Sequence, residues 1–504
     1  MNLIEYLKQT INKFPDKVAI QDDLGSLTFL ELDNISNTIS KEIITSSPFF
    51  KKPIAVFLPK NRWSVISFVG VFKSGNFYVP MDVKAPSDRL LKIFDTLDTP
   101  CIITNLEYKN LIPSCYNGKI IIIEDVICNV LEQKDHQNLD KIANEIIDLD
   151  PIYSIFTSGS TGNPKGVLIS HRGVIDYINW AIKTYNITEE EIIGSQAPFY
   201  FDNSTLDIYL MMLTGAKLVI IPEDKFMFPL KLIEFINIHN INFVFWVPSV
   251  LVSISNFKVL DVLLPKSLKK ILFAGEVMPN KHLNYWRNFL PDLLFSNLYG
   301  PTEITVDCTY YIVDRHFNDD EPLPIGIPCR NSDIIILSNE DQLVTEDEVG
   351  ELCVRGSSLA LGYYKNPETT KLSFVQNPLH NDYNDIIYKT GDLAKYNARG
   401  EILFLGRKDS QIKHMGYRIE LGEIENGLLS LKEIKNVCVV YKDDLSQIEA
   451  FYVGDIKAPA IRRQLASILP KYMLPRKFYQ MEYLPTNSNG KIDRKKLKND
   501  YELL

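Results

Sequence analysis

Paired cysteines are missing from this sequence. Its seven cysteines (Cys101, Cys115, Cys128, Cys308, Cys329, Cys353 and Cys438) are scattered, and none forms a C-x-x-C pair. This argues against a zinc or disulfide framework and suits small buried thiols in a reducing compartment. Long hydrophobic runs are missing too. The longest, Phe243 to Ile254, falls short of the roughly 20 residues a membrane span needs and reads as a buried strand with its continuation. Met1-Asn-Leu-Ile-Glu-Tyr-Leu-Lys is amphipathic and charged from Glu5, unlike a secretory leader. Positive charge is in short supply: the formal net charge of −9 argues against nucleic acid or an anionic membrane as the main partner. The expectation is a cytoplasmic protein without membrane insertion. There is no G-x-x-x-x-G-K-[ST] loop, no fixed-period repeat and no low-complexity segment. No Ser or Cys nucleophile motif accompanies His171, so it reads as a surface histidine at a helix start.

What is present is an ordinary globular composition, 45% hydrophobic over 504 residues, enough for about three packed units. Residues 1–150 alternate helical and strand patterns. Leu3, Ile4, Leu7 and Ile11 share a helical face, and Val18-Ala-Ile20 is a short strand. Thr28 with Glu31 forms a capping signature, Ile54–Leu58 is a strand, and Trp63–Lys73 is a helix. Such alternation predicts an α/β fold with largely parallel sheets.

The chain is organised around Tyr153-Ser-Ile-Phe-Thr-Ser-Gly-Ser-Thr-Gly-Asn-Pro-Lys-Gly-Val167. An apolar strand runs into a loop of Thr157, Ser158, Gly159, Ser160, Thr161 and Gly162, closed by Lys165. Glycines allow close backbone approach, hydroxyls add donors, and Lys165 adds positive charge, a combination suited to phosphate oxygens. The alternative is a flexible connector. Ser170 then caps a helix with Val174, Ile178, Ala181, Ile182 and Tyr185 on one face. In Phe201-Asp-Asn-Ser204, Asp202 reads either as an N-cap or as a carboxylate for a fixed cation.

The loop resembles the phosphate loop of the adenylate-forming superfamily, which includes amino-acid adenylation domains, acyl-CoA ligases and luciferases. Asn297-Leu-Tyr-Gly-Pro-Thr-Glu303, Tyr388-Lys-Thr-Gly-Asp392, Gly406-Arg-Lys-Asp409 and Asn489-Gly-Lys491 resemble its further motifs, in the family's order and over nearly the whole chain. The resemblance implies a large N-terminal domain (1–408) of layered, mostly parallel sheets and helices. It also implies a small α+β lid (409–504) that rotates about Asp409, bringing the Gly416 loop to a second half-reaction. Lys491, Glu303 and Thr157 are implied as catalytic. ATP is implied against the residues from Thr157 to Gly162, Lys165, Asn297, Tyr299 (on adenine), Gly300, Thr302, Asp392 (on ribose), Arg407 and Lys491. Mg²⁺ is implied on Glu303. Lys491 reads otherwise as part of a basic tail.

Asp202 falls on the family's ammonium-binding aspartate, which implies an amino-acid substrate. Asn203, Leu206, Trp246, Leu272, Ala274, Leu298, Val306 and Asp307 fall on the side-chain pocket. Trp246 and the three leucines would leave room for a small side chain. Asp307 either accepts a hydrogen bond from a substrate hydroxyl, favouring serine, or faces away. Among members the likeness leans to D-alanine–carrier protein ligases, although those carry Cys where Ala274 stands. The implied reaction activates D-alanine, L-alanine or serine and passes it to a phosphopantetheine thiol. With no appended carrier motif, a carrier protein in trans is expected. An acyl- or aryl-CoA ligase is the rival, and an inactive nucleotide-binding relative a second.

Overall fold

The computed structural model describes residues 1–504 except 47–49, 131–136, 160–162, 346, 409–410, 444, 486–491 and 501–504. Apolar strands buried on both faces pair in parallel, and two such sheets dominate. The larger has nine strands, in the order Ile327–Pro328, Thr309–Ile312, Leu294–Tyr299, Lys270–Phe273, Phe243–Trp246, Ile192–Ser195, Lys217–Ile220, Val18–Asp22 and Gly25–Thr28. From Leu294–Tyr299 to Val18–Asp22 every pairing is parallel, and the edges are antiparallel. The second has seven strands: Gly362–Tyr363, Lys165–Ser170, Pro151–Thr157, Phe77–Pro80, Pro53–Phe57, Cys101–Thr104 and Lys119–Ile122. A five-stranded sheet is built on Ser332–Leu337, Gly350–Gly356 and Ile386–Tyr396.

Local signals land where their chemistry places them. Asn2 caps the helix Leu3–Lys13 in a capping box with Glu5. Thr28 and Glu31 exchange hydrogen bonds at the head of the helix Phe29–Ser46. Ser170 caps His171–Tyr185, accepting from the Gly173 N–H at 3.1 Å. The run from Phe243 to Ile254 is split: the strand Phe243–Trp246 ends, and Pro248 opens the helix Pro248–Asn256. Proline suits a first helical position because its missing N–H has no intrahelical partner there.

The chain divides into two units. The first comprises Met1–Val83, Asp98–Ile155 and Gly166–Gly406. The second joins Lys84–Leu97 and Phe156–Lys165 to Arg407–Leu504. In the second, a three-stranded sheet of Ile434–Lys442, Gln447–Gly454 and Lys477–Gln480 packs with the helices Leu421–Leu429 and Ala458–Leu465 around Ile424, Leu428, Val439, Ile461 and Leu465. The mixed α/β architecture with its small α+β portion matches the expectation. No described helix is long and apolar enough to cross a membrane.

Candidate functional site

In parallel sheets, ligand-binding loops follow the carboxyl ends of strands, and the motif Asn297–Glu303 and Asp202 follow such ends. Tyr299 ends the strand Leu294–Tyr299, and Gly300 follows it. A Cβ at Gly300 would lie 2.3 Å from the Val306 carbonyl oxygen, so only glycine allows the chain to double back. Thr302–Ile304 form a single 3₁₀ turn. Thr305 (φ 59°) and Val306 (φ 75°) then adopt left-handed backbone. For β-branched residues that costs on the order of 1–3 kcal/mol each. The strain is held in part by Thr305 Oγ1, which donates to the Ser358 carbonyl at 2.7 Å.

This turn delivers Glu303 fully buried. The Tyr363 hydroxyl donates to Glu303 Oε1 at 2.7 Å, and the Ala360 N–H donates to the Glu303 carbonyl at 2.8 Å. Tyr363 belongs to the short strand Gly362–Tyr363, opposite Val167. It lies inside the Leu361-Gly-Tyr-Tyr-Lys-Asn-Pro367 stretch, and nothing local marked it as the partner of Glu303. On the other side of the motif, the Tyr299 hydroxyl donates to Asp392 Oδ2. Burial and the Asp392 carboxylate push the Tyr299 phenol well above its ordinary range. Asp392 is itself buried, with its N–H on Thr390 Oγ1 at 3.0 Å. Asn297 donates to the Pro324 carbonyl at 2.8 Å. The structure therefore brings Tyr299 and Asp392 together and supports Glu303 separately.

Asp202 lies half-buried in the loop between the strand Ile192–Ser195 and the helix Ser204–Thr214. It is not the N-cap. That position is Asn203, which makes no side-chain cap bond. Of the residues expected around a side chain, Leu206, Leu272, Ala274, Leu298 and Val306 do share one core. Trp246 does not. Strand side chains alternate, and Trp246 points with Val244 into the core on the other face of the sheet. Phe245, paired in register with Leu272, occupies the face expected of Trp246. Asp307 is buried, and Tyr177 donates to its Oδ2 at 2.6 Å. That oxygen therefore already has a hydroxyl partner within the chain.

In the second unit, Thr157, Ser158 and Gly159 are buried. Thr157 Oγ1 has no hydrogen-bond partner among the described residues. Ser158 Oγ donates to the Arg418 carbonyl at 2.7 Å. Lys165 and Arg407 are half-buried. Glu423 pairs with Arg89 at 2.7 Å. Burial pushes its carboxyl up, while Arg89 and the Gly159 N–H hold it down. Met415 and Gly416 take left-handed backbone at the tip of the hairpin Gln411–His414/Tyr417–Glu420, as a tight hairpin turn requires. Ser160, Thr161, Gly162, Asp409 and Lys491 lie outside the described residues.

His171 is not at the surface. It is 1% exposed, its Nδ1 accepts the Leu3 N–H at 3.3 Å, and Phe72 packs edge-on. The helix-start position was legible, but the two helices that cover it, Leu3–Lys13 and Arg62–Lys73, are remote in sequence. As for cations, no described cluster of three or more His, Cys, Asp or Glu forms a metal cage. A buried single carboxylate such as Glu303 fits a Mg²⁺ that takes its other ligands from nucleotide phosphates and water.

The family pattern described as AMP-binding enzyme matches residues 7–364. The chain is 32% identical to zwittermicin A synthase ZmaJ of Bacillus cereus, over 97% of this chain and 93% of that protein. It is 31% identical to a D-alanine–D-alanyl carrier protein ligase of Bacillus cytotoxicus, over 99% of each. Tyrocidine synthase 3 of Brevibacillus parabrevis is 32% identical but much longer, and the chain spans 8% of its length. In fold, the chain is similar to the Vibrio cholerae adenylation domain AlmE, solved with glycyl-adenosine-5'-phosphate (TM-score 0.85, 21% identity, 99% of this chain and 97% of that one). Motif order, fold and full-length likeness agree: the chain belongs to the AMP-binding enzyme family.

Proposed function

We propose that the chain activates a small amino acid as its aminoacyl-AMP and transfers it to the phosphopantetheine thiol of a separate carrier protein. The substrate carboxylate attacks the α-phosphorus of ATP, and pyrophosphate leaves. The thiol then attacks the carbonyl of the mixed anhydride, AMP leaves, and a thioester remains. The observation that carries the reading is Asp202: a half-buried carboxylate that does not cap its helix, in the loop ahead of the apolar set Leu206, Leu272, Ala274, Leu298 and Val306. It suits an α-ammonium beside a short side chain.

In the first step two anions must meet, so charge has to be neutralised and geometry held. Glu303 would hold Mg²⁺, which lowers the charge on the phosphates. Asp392 would accept from the ribose, with Tyr299 at the adenine side. Thr157, Ser158 and Lys165 would face phosphate, and Lys491 would bridge carboxylate and phosphate. Rotation of 409–504 about Asp409 would then exchange Lys491 for the Gly416 loop, a form of catalytic gating. The Tyr177 bond to Asp307 favours alanine, of either hand, over serine, because a substrate hydroxyl would have to compete with it.

Amino-acid-dependent ATP–pyrophosphate exchange, run with both enantiomers of alanine and serine and with aryl and fatty acids, tests this. Exchange with alanine that disappears in Asp202→Ala and Lys491→Ala is expected. Exchange with non-amino acids alone would place the chain with the acyl- or aryl-CoA ligases.

A further inference from the structure

The first unit encloses a lysine ammonium and a buried carboxylate that none of the steps above uses. Lys60 is half-buried along its length with its ammonium inside, where Nζ donates to the Ser195 carbonyl at 2.9 Å and the Gln196 carbonyl at 2.8 Å. Its ammonium also lies 6.0 Å from the centroid of the Phe199 ring. Asp207, on the helix Ser204–Thr214, is fully buried, with the Ser195 hydroxyl beside its carboxylate. Burial pushes the Lys60 ammonium down and the Asp207 carboxyl up, and each charge pulls the other back.

The placement matters more than the pair. Ser195 ends its strand and Ser204 starts the next helix, so residues 196–203 form the connecting loop, and Asp202 is on it. Lys60 grips the start of this loop by two carbonyls and touches its middle at Phe199. It is also attracted, beyond ion-pair distance, by the Asp207 carboxylate on the helix that receives the loop's end. Gln196 extends the tie by accepting the Val247 N–H at 3.4 Å, just beyond the strand that carries Phe245. Two buried opposite charges are a poor source of stability, because desolvation offsets most of their attraction. What the two carbonyl hydrogen bonds of Lys60 do supply is a single geometry for the groups they hold.

We propose that Lys60, with Asp207, is a positioning residue for amino-acid recognition: it sets the course of loop 196–203 and so the place of the Asp202 carboxylate. This rests on the reading of Asp202 as the ammonium acceptor. Misplacement by about 1 Å of a binding group costs on the order of a hundredfold in rate, so the effect is measurable without loss of fold.

The test is ATP–pyrophosphate exchange with D-alanine, L-alanine and L-serine on the full chain, with KM measured separately for the amino acid and for ATP. Lys60→Met is expected to raise the amino-acid KM by about tenfold or more, leave the ATP KM within about twofold, and be rescued by Lys60→Arg. The double variant Lys60→Met/Asp207→Leu removes the uncompensated charge and is expected to melt near the parent while keeping the raised amino-acid KM. An unchanged amino-acid KM in the folded double variant overturns the proposal. So does a parallel rise in both KM values, and so does failure of all three variants to fold, which would make the pair a folding element. If Asp202→Ala leaves exchange intact, the underlying reading of Asp202 fails instead.

Discussion

Replacing His171 by glutamine should flatten the acid side of this protein's stability profile. In the structure the ring is buried, its Nδ1 accepts the Leu3 N–H, and it sits at the positive end of the helix His171–Tyr185. Burial lowers its pKa from 6.5 to about 4, against the pull of Asp150 and Asp148. Those acids are already engaged, Asp150 by Lys51 at 2.6 Å and Asp148 by Arg172 at 2.9 Å. The folded state therefore prefers the neutral ring. Its contribution is complete above the unfolded pKa, declines as pH falls from 6.5, and is gone below 4. A displacement of this size is worth roughly 3 kcal/mol in full and about 2 kcal/mol between pH 7 and pH 5. Glutamine keeps an acceptor for Leu3 and cannot take up the proton. Denaturant unfolding at pH 7 and pH 5, read as the difference between parent and His171→Gln, cancels every other titrating group. The parent should lose about 2 kcal/mol more than the variant. Parallel losses in the two proteins would refute a buried neutral His171.

Three further outcomes follow from the site. Asp202→Ala should abolish amino-acid-dependent exchange yet keep a single cooperative melting transition, because Asn203 and not Asp202 holds the N-cap position; a drop of several degrees with activity retained would assign Asp202 a structural role. Tyr177→Phe removes the donor to Asp307 and should raise the serine-to-alanine ratio of kcat/KM by about tenfold, in line with the 1.5–3 kcal/mol of a hydrogen bond to a charged group; an unchanged ratio would mean that Asp307 does not face the substrate. Tyr363→Phe should weaken Mg²⁺-dependent nucleotide binding by about tenfold in calorimetry while metal-free binding stays put; equal losses with and without metal would separate Glu303 from the metal.

Much of this molecule follows from short-range chemistry that needs no tertiary information. Asn2, Thr28 and Ser170 cap helices because their side chains reach N–H groups two or three residues on. The apolar strands and the glycine at 300 obey equally local rules, and the motif segments that resemble the AMP-binding enzymes are contiguous. The buried strand Phe243–Trp246 was legible, but the facing of its side chains was not: whether Phe245 or Trp246 joins Leu272 depends on the register with Lys270–Phe273. The burial of His171, the hydroxyl on Glu303 and the occupation of Asp307 were likewise settled only by folding. Their partners lie 168, 60 and 130 residues away, and a contact across such a distance leaves no periodicity or spacing to read. Lys60 shows the same limit most plainly. By sequence it is a lysine after a strand, and only the packing of the helix Ser204–Thr214 beside the strand Ile192–Ser195 makes it the tie across the loop that carries Asp202.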